Sequence, residues 1–307
     1  MRTIHLLLIY LLTSGFVFAQ EVNIYSKSYG NKTNPAIIFI HGGPSGNSNL
    51  FEATTAQNLA DLGFYVIVYD RRGEGRSADI NANMTFEESF DDLRMIYQKW
   101  DIQKAHLLGH SFGGIIATLF TEKYPGKVRS LILAGALVSQ QETYDNILKN
   151  AERQFKTDPQ KIKQISDIKG LSKNSAEYRK QCFDLSGKMN YFNMPNPTQE
   201  SIQLRESYEK SDLYKSNIRN HLSPIKFYKN ESNNNVNNKP VLKLIRTFKI
   251  PIYAIYGKDD LIFSSRQLSD LRRIVGSSNF QILDNCSHYL YADQQAEFLQ
   301  YITQKLQ

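Results

Sequence analysis

Short runs of β-branched and aromatic residues alternate along the chain with segments in which apolar residues recur at helical spacing. The runs predict strands at 36–40, 64–69, 105–108, 128–133, 250–256 and 280–283. The helical spacing predicts helices at 86–100, 112–124, 265–275 and 293–306. Alternation of this kind is typical of a mostly parallel sheet covered by helices on both faces. We therefore expect an α/β fold.

The alternation stops between residues 139 and 246 and resumes afterwards. This segment is rich in Lys, Gln, Asn and Tyr, and its pattern predicts several helices. Its asparagine-rich tract, 230–239, is expected to be a mobile loop. Because strand, helix and strand follow it, we predict a helical lid inserted into a single core made of 20–138 and 247–307. The alternative is a separate C-terminal domain that begins near Ser139.

The N-terminus has the pattern of an export signal. Arg2 supplies a positive charge, 6–12 form an apolar run, and 17–19 end in the small residue that a signal peptidase accepts. We predict that 1–19 are a cleaved signal peptide and that the mature chain begins at Gln20. The protein would then be secreted or periplasmic, without stable membrane insertion. The alternative is an uncleaved anchor, although the apolar stretch is interrupted and short for a span.

Composition and charge add one feature to this picture. The 307 residues are 41% apolar and 22% charged, as in ordinary globular proteins. The net charge is +7, and it comes from residues 139–246, which hold 19 Lys and Arg against 12 Asp and Glu. The rest of the chain is neutral, with 18 basic and 18 acidic residues. Without a dense basic run or a known nucleic-acid module, this excess predicts a solvated surface and no nucleic-acid partner. The sequence leaves the oligomeric state open.

Cysteine and histidine usage argues against two kinds of site. Only Cys182 and Cys286 are present, so the chain is not a disulfide scaffold, although one bridge between them is left open. The one His-x-x-x-His spacing, His106 to His110, runs from a predicted strand into the serine turn and not along a helix, and the cysteines are not paired in sequence. We therefore expect no metal and no other cofactor.

A G-x-S-x-G pattern lies between a predicted strand and a predicted helix. It reads Gly109-His110-Ser111-Phe112-Gly113. In this context a sharp turn raises the serine oxygen above the sheet, and small residues are needed on both sides because the backbone is crowded. We interpret Ser111 as a nucleophile, with Gly109 and Gly113 shaping the turn. The alternative is a glycine-rich structural turn.

Two further residues complete a candidate triad, because a serine hydroxyl needs a base and the base needs a group that orients it. His288 follows the last predicted strand, and Asp260 follows the strand before it. Together with Ser111 they lie at the carboxyl ends of strands, where open α/β sheets place their sites. We predict His288 as the base and Asp260 as its orienting acid.

Neighbouring residues offer alternatives for two of these roles. Asp259 could replace Asp260, but the Gly-x-x-Asp spacing favours Asp260. His110 and His106 are alternative bases. One flanks the serine inside its turn and the other alternates along a strand, so both are interpreted as structural.

A second glycine-rich segment, His41-Gly42-Gly43-Pro44, comes directly after the strand that ends at Ile40. Attack on an acyl carbon creates an oxyanion, which backbone N–H groups stabilise when no side chain blocks their approach. We assign this oxyanion hole to the N–H groups of Gly43 and of Phe112, the residue after the nucleophile. Gly42 would shape the loop between His41 and Pro44. The alternative is a simple Gly-Gly-Pro turn.

These segments together resemble the α/β-hydrolase superfamily and, within it, the prolyl iminopeptidase-like serine peptidases. The segments that carry the resemblance, in chain order, are 41–44, 69–77, 109–113, 257–260 and 287–288. The order Ser, Asp, His is also that of α/β-hydrolases. The resemblance covers the chain from Val22 to Gln307 and implies the α/β-hydrolase fold with an inserted helical lid. It also implies that the 70–77 loop shapes the floor of the site.

The chain departs from this family at positions that concern the substrate. Ser45 stands where glycine commonly follows the proline, and Phe112 stands where tryptophan commonly follows the nucleophile. Members of the family bind a substrate's amino terminus through lid glutamates, but no motif identifies them among Glu200, Glu206, Glu209 and Glu231. An apolar wall for a proline ring would come from lid aromatics, of which the candidates are Tyr178, Phe183, Tyr191, Phe192, Tyr208, Tyr214, Phe227 and Tyr228.

The predicted activity is that of a serine hydrolase with an acyl-enzyme intermediate. The resemblance implies an aminopeptidase that releases N-terminal residues, typically proline, from short peptides. The alternative is a carboxylesterase or another small-molecule acyl hydrolase, which would share the triad and differ in the lid. A silent binding protein on the same fold is disfavoured by the complete triad and oxyanion loop. Epoxide hydrolases and haloalkane dehalogenases are disfavoured because they need a carboxylate where Ser111 stands.

Overall fold

A computed structural model describes residues 23–307 and places seven strands in one sheet. The predicted signal peptide, 1–19, lies outside these residues. The strands are β1 (Ser26–Tyr29), β2 (Ala36–Ile40), β3 (Tyr65–Tyr69), β4 (Ala105–His110), β5 (Val128–Ala134), β6 (Ile252–Gly257) and β7 (Phe280–Leu283). Their spatial order is β1-β3-β2-β4-β5-β6-β7, and every neighbouring pair is parallel except β1 with β3. The predicted mostly parallel sheet is therefore confirmed.

The helices divide into three groups along the chain. The first group comprises α1 (Asn49–Phe51), a π-helical turn (Glu52–Ala56), α2 (Gln57–Asp61), α3 (Phe86–Lys99) and α4 (Phe112–Lys123). The second lies between β5 and β6 and comprises α5 (Gln140–Gln154), α6 (Pro159–Gly170), α7 (Ala176–Lys188), α8 (Gln199–Glu209), α9 (Asp212–Lys215), α10 (Ser223–Asn230) and α11 (Lys239–Thr247). The last group is α12 (Ser265–Val275), α13 (Leu290–Asp293) and α14 (Gln295–Leu306).

Helix boundaries follow local capping chemistry. Thr85 accepts the N–H of Glu88 and so caps α3, whose first turn is acidic and whose last turn is basic. Ser264 and Gln267 form a reciprocal capping box at the start of α12. These caps explain why the helices begin where the sequence predicts.

The central strands are buried on both faces, which gives the sheet two cores. Ile38 of β2 packs with Phe90 of α3 and with Ile116 of α4 on one face. Its neighbour Phe39 points to the other face, where its ring stacks on Phe51 with centroids 3.8 Å apart. Strands buried in this way read as continuous apolar runs, as the sequence does here.

The second group of helices forms the lid, and the strands that follow the lid join the same sheet. The lid is closed at its base by a bridge between Ser139 and Asn237 and by the N–H of Asn238, which lies 2.7 Å from the carbonyl oxygen of Val138. The asparagine-rich tract 230–239 is thus tied to the first residues of the lid. Its polar composition predicted a loop, but not the backbone pairing that fixes it.

Three features bear on possible binding and targeting classes. Within residues 23–307, Cys182 and Cys286 are both free and buried, so the bridge left open by the sequence is not formed. The same residues contain no group of three or more side chains suited to hold a metal ion. None of the helices in this part of the chain has the length and apolar character needed to cross a bilayer.

Three buried histidines have lowered pKa values. His106 in β4 lies 2.7 Å from the hydroxyl oxygen of Ser130, and burial lowers its pKa to about 4. Burial, assisted by the charge of Arg71, lowers the pKa of His41 to about 3. Burial also holds the pKa of His110 well below its usual value. All three rings are therefore neutral at pH 7.

We predict that the three buried histidines lower the stability of the fold on acidification from pH 7 to pH 5, while buried carboxyls with raised pKa values, such as Glu74 and Asp260, act in the opposite direction. In this range each buried histidine takes up a proton only after unfolding, because its pKa in the unfolded chain is about 6.5. The free energy of unfolding should therefore fall by about 2 kcal/mol for each histidine. Urea unfolding at several pH values measures the loss. His106→Gln removes one titrating group and should reduce the loss by about 2 kcal/mol, whereas an unchanged pH dependence would contradict the buried neutral state.

Candidate active site

The turn between β4 and α4 places Ser111 at the carboxyl edge of the sheet. Ser111 has φ 53° and ψ −123°, a strained conformation for a residue with a side chain. A Cβ on Gly113 would collide with the carbonyl groups of Ile40 and His41, and a Cβ on Gly109 would lie 2.7 Å from the carbonyl oxygen of Gly113. Close approach therefore requires glycine at both positions that the sequence analysis singled out.

His288 and Asp260 lie together beyond the ends of β7 and β6. Nδ1 of His288 is 2.7 Å from Oδ2 of Asp260, and both side chains are buried. Burial raises the pKa of Asp260, although the adjacent His288 opposes this. With Nδ1–H donating to the carboxylate, Nε2 is left as the proton acceptor. Asp259 instead accepts the N–H of Cys286 at 3.2 Å, so Asp260 is the carboxylate that orients His288.

The two histidines proposed as alternative bases have other partners. His110 Nε2 lies 2.9 Å from the carbonyl oxygen of His288, and the two rings are 4.8 Å apart at their centroids. Its Nε2–H therefore donates to the backbone of His288 and holds that loop in place. His106 bonds to Ser130 farther down the sheet. Sequence reasoning missed the His110–His288 contact because it joins residues far apart in the chain.

The oxyanion loop, residues 41–44, passes directly beside the nucleophile. A Cβ on Gly42 would lie 3.1 Å from Cβ of Ser111, closer than most side-chain contacts, so glycine suits this approach. Among the described residues, the N–H groups of Gly43 and Phe112 donate to no other protein group. Phe112 also opens α4, where the helix dipole favours negative charge. Both predicted oxyanion donors are thus free at this edge of the sheet.

The guanidinium of Arg71 anchors one side of the oxyanion loop. It donates to the carbonyl oxygens of His41 at 2.5 Å and Gly42 at 2.9 Å. The backbone N–H of Arg71 also donates to Nε2 of His41 at 3.1 Å. These bonds hold the two loop carbonyls on the guanidinium.

Glu74 completes the anchor from the other side. Its Oε2 lies 2.7 Å from Arg71, and its Oε1 accepts the N–H groups of Ser45 and of Gly46, the latter at 3.3 Å. Both charged side chains are buried, and burial raises the pKa of Glu74. Arg71 and Glu74 therefore hold the oxyanion loop as an ion pair. The family resemblance implied that the 70–77 loop shapes the floor of the site, but the sequence predicted no role for the pair of Arg71 and Glu74.

Aromatic residues of the lid face the triad. The ring of Phe192 lies 5.5 Å from that of His288, and Phe183 stacks on Phe192 at 4.8 Å. Phe227 packs 5.1 Å from Phe112. Phe192 and Phe227 thus each pack against a residue of the site, and Phe183 packs on Phe192. Others are buried within the lid, namely Tyr178, Tyr191 and Tyr208.

The four lid glutamates are engaged elsewhere or exposed. Glu231 accepts the N–H of Phe86 at 3.0 Å, at the start of α3. Glu206 lies 3.5 Å from Lys210 on the lid surface. The other two are exposed to solvent: Glu200 and Glu209. Within the described chain, no hydrogen bond joins any of the four to the residues of the candidate triad.

Comparison with known sequences identifies the family. Residues 35–295 match the family model for the alpha/beta hydrolase fold. A proline iminopeptidase of Lactobacillus helveticus (strain DPC 4571) is 22% identical over 90% of this chain and 91% of its own length. One from Saccharolobus solfataricus is 30% identical over 50% of this chain, which spans about half, 52%, of that relative. A bifunctional esterase/perhydrolase of Acinetobacter calcoaceticus is 32% identical over 36% of this chain and 40% of its own.

Solved structures share the architecture. The proline iminopeptidase-related protein of Thermus thermophilus has a TM-score of 0.67 and 21% identity, with 92% of each chain covered. At that identity the likeness concerns the fold alone. The family match, by contrast, extends over most of the sequence and includes every strand from β2 to β7. The chain therefore belongs to the α/β-hydrolase fold family.

Proposed function

We propose that Ser111, His288 and Asp260 form a catalytic triad that hydrolyses small acyl substrates through an acyl-enzyme. The observation that carries the proposal is the 2.7 Å bond from His288 Nδ1 to Asp260 Oδ2. It fixes the tautomer in which Nε2 can accept a proton from the serine hydroxyl. The strained turn that presents Ser111 and the two free N–H groups beside it support the same reaction.

The first half of the reaction forms the acyl-enzyme. Ser111 Oγ attacks the acyl carbon while its proton passes to His288 Nε2, and Asp260 stabilises the resulting imidazolium. The electron pair of the carbonyl moves onto its oxygen, which receives the N–H groups of Gly43 and Phe112. When the tetrahedral intermediate collapses, the leaving amine or alcohol takes the proton from His288. The acyl group remains esterified to Ser111.

The second half of the reaction releases the acid. His288 removes a proton from a water molecule, which attacks the ester carbon on Ser111. The same N–H groups stabilise the second oxyanion. Collapse returns the proton to Ser111 Oγ and frees the carboxylic acid, so the enzyme is restored with no external reactant except water.

Within this chemistry we infer an aminopeptidase that releases N-terminal residues, typically proline, from short peptides. The proline iminopeptidase of Lactobacillus helveticus, aligned over nearly the whole chain, supports this assignment. The stacked rings of Phe183 and Phe192 beside His288 also suit a proline ring. The pattern at 1–19 supports our further proposal that the protein is exported and begins at Gln20 in its mature form.

A carboxylesterase is the second candidate, and the lid glutamates favour it. An ammonium group bound beneath the lid would need a carboxylate, because burying that charge unpaired costs several kcal/mol. Glu231, the least exposed of the four, is instead bonded to Phe86. An uncharged ester would make no such demand, and a bifunctional esterase/perhydrolase is among the relatives.

We predict that Asp260→Asn is far more damaging than Asp259→Asn. The first variant loses the carboxylate that orients His288, so kcat for a short acyl ester should fall by about three to four orders of magnitude. The second loses only a bond to the N–H of Cys286 and should change kcat by less than about tenfold. Steady-state kinetics measure both variants. The reverse ranking would remove Asp260 from the triad.

Substrate class is tested by comparing proline 4-nitroanilide, its N-acetyl derivative and 4-nitrophenyl butyrate. An aminopeptidase should lose about a hundredfold in kcat/KM when the amino group is acetylated, because a charge-assisted bond is lost. Ser111→Ala should abolish cleavage of all three compounds and labelling by a fluorophosphonate. If the ester is strongly preferred, or acetylation has no effect, the carboxylesterase assignment replaces the aminopeptidase and the triad stands.

A further inference from the structure

One edge of the lid exposes a cluster of aliphatic side chains. Ile80, Leu222, Ile218 and Ile225 are 88%, 59%, 58% and 55% exposed, more than any other large apolar residue of the described chain. Single exposed apolar residues are ordinary on protein surfaces. A contiguous group of exposed apolar residues instead marks a surface that contacts a partner protein, a membrane or an apolar ligand.

A hydrogen bond and proximity along the chain place these residues in one region, since Ile218 lies four residues before Leu222. Nζ of Lys226 in α10 lies 2.6 Å from the carbonyl oxygen of Ile80 and so joins the helix to the 79–83 segment. Leu222 and Ile225 are three residues apart, on the face of α10 opposite the buried Phe227. We call the surface formed by Ile80, Ile218, Leu222 and Ile225 the lid-edge face.

The lid-edge face is also positively charged. Residues 213–230 contain four Lys and Arg and no Asp or Glu. Lys215 pairs with Asp212 at 2.7 Å, whereas within the described chain three of the four form no ion pair: Arg219, Lys226 and Lys229. On the neighbouring segment, Asp79 accepts the N–H of Asn81 and is the acidic residue next to Ile80. Asp212 and Glu231 flank this stretch, so cations outnumber acidic residues there by four to two, and three of the cations near the exposed aliphatic side chains form no ion pair within the described chain.

We propose that the lid-edge face docks on an anionic lipid surface. Aliphatic side chains enter the boundary between headgroups and acyl chains, while the surrounding cations attract anionic headgroups. An apolar partner protein would not require the excess of cations. A nucleic acid would not require the exposed aliphatic residues. The combination of the two matches the chemistry of a negatively charged bilayer surface.

Docking in this orientation would bring the catalytic edge near the lipid. The side chain of Asn47 donates to Asn217 at 2.7 Å and to the carbonyl oxygen of Ile218 at 3.2 Å. Asn47 lies just beyond the oxyanion loop, 41–44, in the chain. The lid-edge face therefore adjoins the segment that follows this loop. The proposal does not depend on the triad or on the substrate assigned above.

The test uses the chain from Gln20, so the apolar N-terminal run cannot contribute. Binding is measured by co-sedimentation with vesicles of phosphatidylcholine alone and with vesicles holding equal amounts of phosphatidylcholine and phosphatidylglycerol. We expect at least about tenfold stronger binding to the anionic vesicles, and loss of that difference at high salt. No binding, or equal binding to both vesicles, would overturn the proposal.

Variants then locate the surface. Leu222→Ser with Ile225→Ser should weaken binding at least about tenfold, and Arg219→Gln with Lys229→Gln should do the same. The matched control, Lys243→Gln with Leu244→Ser, changes an exposed cation and an apolar residue 43% exposed on α11, and should bind like the parent chain. Unchanged hydrolysis of a soluble ester verifies that each variant is folded. Equal vesicle binding by all three variants would overturn the location.

A second copy of the chain is the other occupant that the experiment distinguishes. If the face paired with itself, the parent chain would elute as a dimer in size-exclusion chromatography and the Leu222→Ser, Ile225→Ser variant as a monomer. That result, without binding to anionic vesicles, would overturn the lipid proposal. A parent chain that binds the vesicles and elutes as a monomer supports it.

Discussion

The buried ion pair between Arg71 and Glu74 is the interaction on which the geometry of the site depends. The oxyanion loop is rich in glycine, so its own side chains cannot fix its backbone. Arg71 donates hydrogen bonds to two of the loop's carbonyl oxygens, and Glu74 accepts hydrogen bonds from the two N–H groups that follow Pro44. The guanidinium also lies 5.6 Å from the ring of Phe112. One pair of charges therefore contacts both elements that carry the proposed oxyanion donors.

The pair is itself constrained, because neither charge can be left alone in the interior. Arg71 and Glu74 lie just beyond β3, next to β2, so the parallel sheet sets their position relative to the loop. The same edge of the sheet supplies Ser111 after β4 and Asp260 after β6. His110 adds a bond to the backbone of His288 and completes the support. The strained turn at Ser111 is thus surrounded by groups that have few alternative positions.

The sequence predicted the parts of this arrangement that depend on local pattern. Six strands and four helices, α3, α4, α12 and α14, follow from apolar spacing, and the proposed triad residues follow from their positions at strand ends, whereas α1, α2 and α13 were not predicted. β1 was not predicted, because Ser26–Tyr29 is a short, half-exposed edge strand without a clear apolar alternation. The roles of Arg71, Glu74 and His110 were not predicted either, since each acts through backbone groups brought close only by the folded sheet. A charged pair three residues apart beside a glycine-rich motif was the available signal.

Whether Arg71 and Glu74 position the oxyanion loop can be measured with a trifluoromethyl ketone inhibitor. Such a ketone forms a tetrahedral oxyanion adduct with a reactive serine. Relative to the parent chain, we expect Glu74→Gln to lower kcat/KM and inhibitor affinity together, by about tenfold to a hundredfold, with KM little changed. The Arg71→Gln, Glu74→Gln double variant leaves no unpaired buried charge and should show the same parallel loss in a folded protein. Parent-like inhibitor affinity and turnover in the folded double variant would contradict the claim.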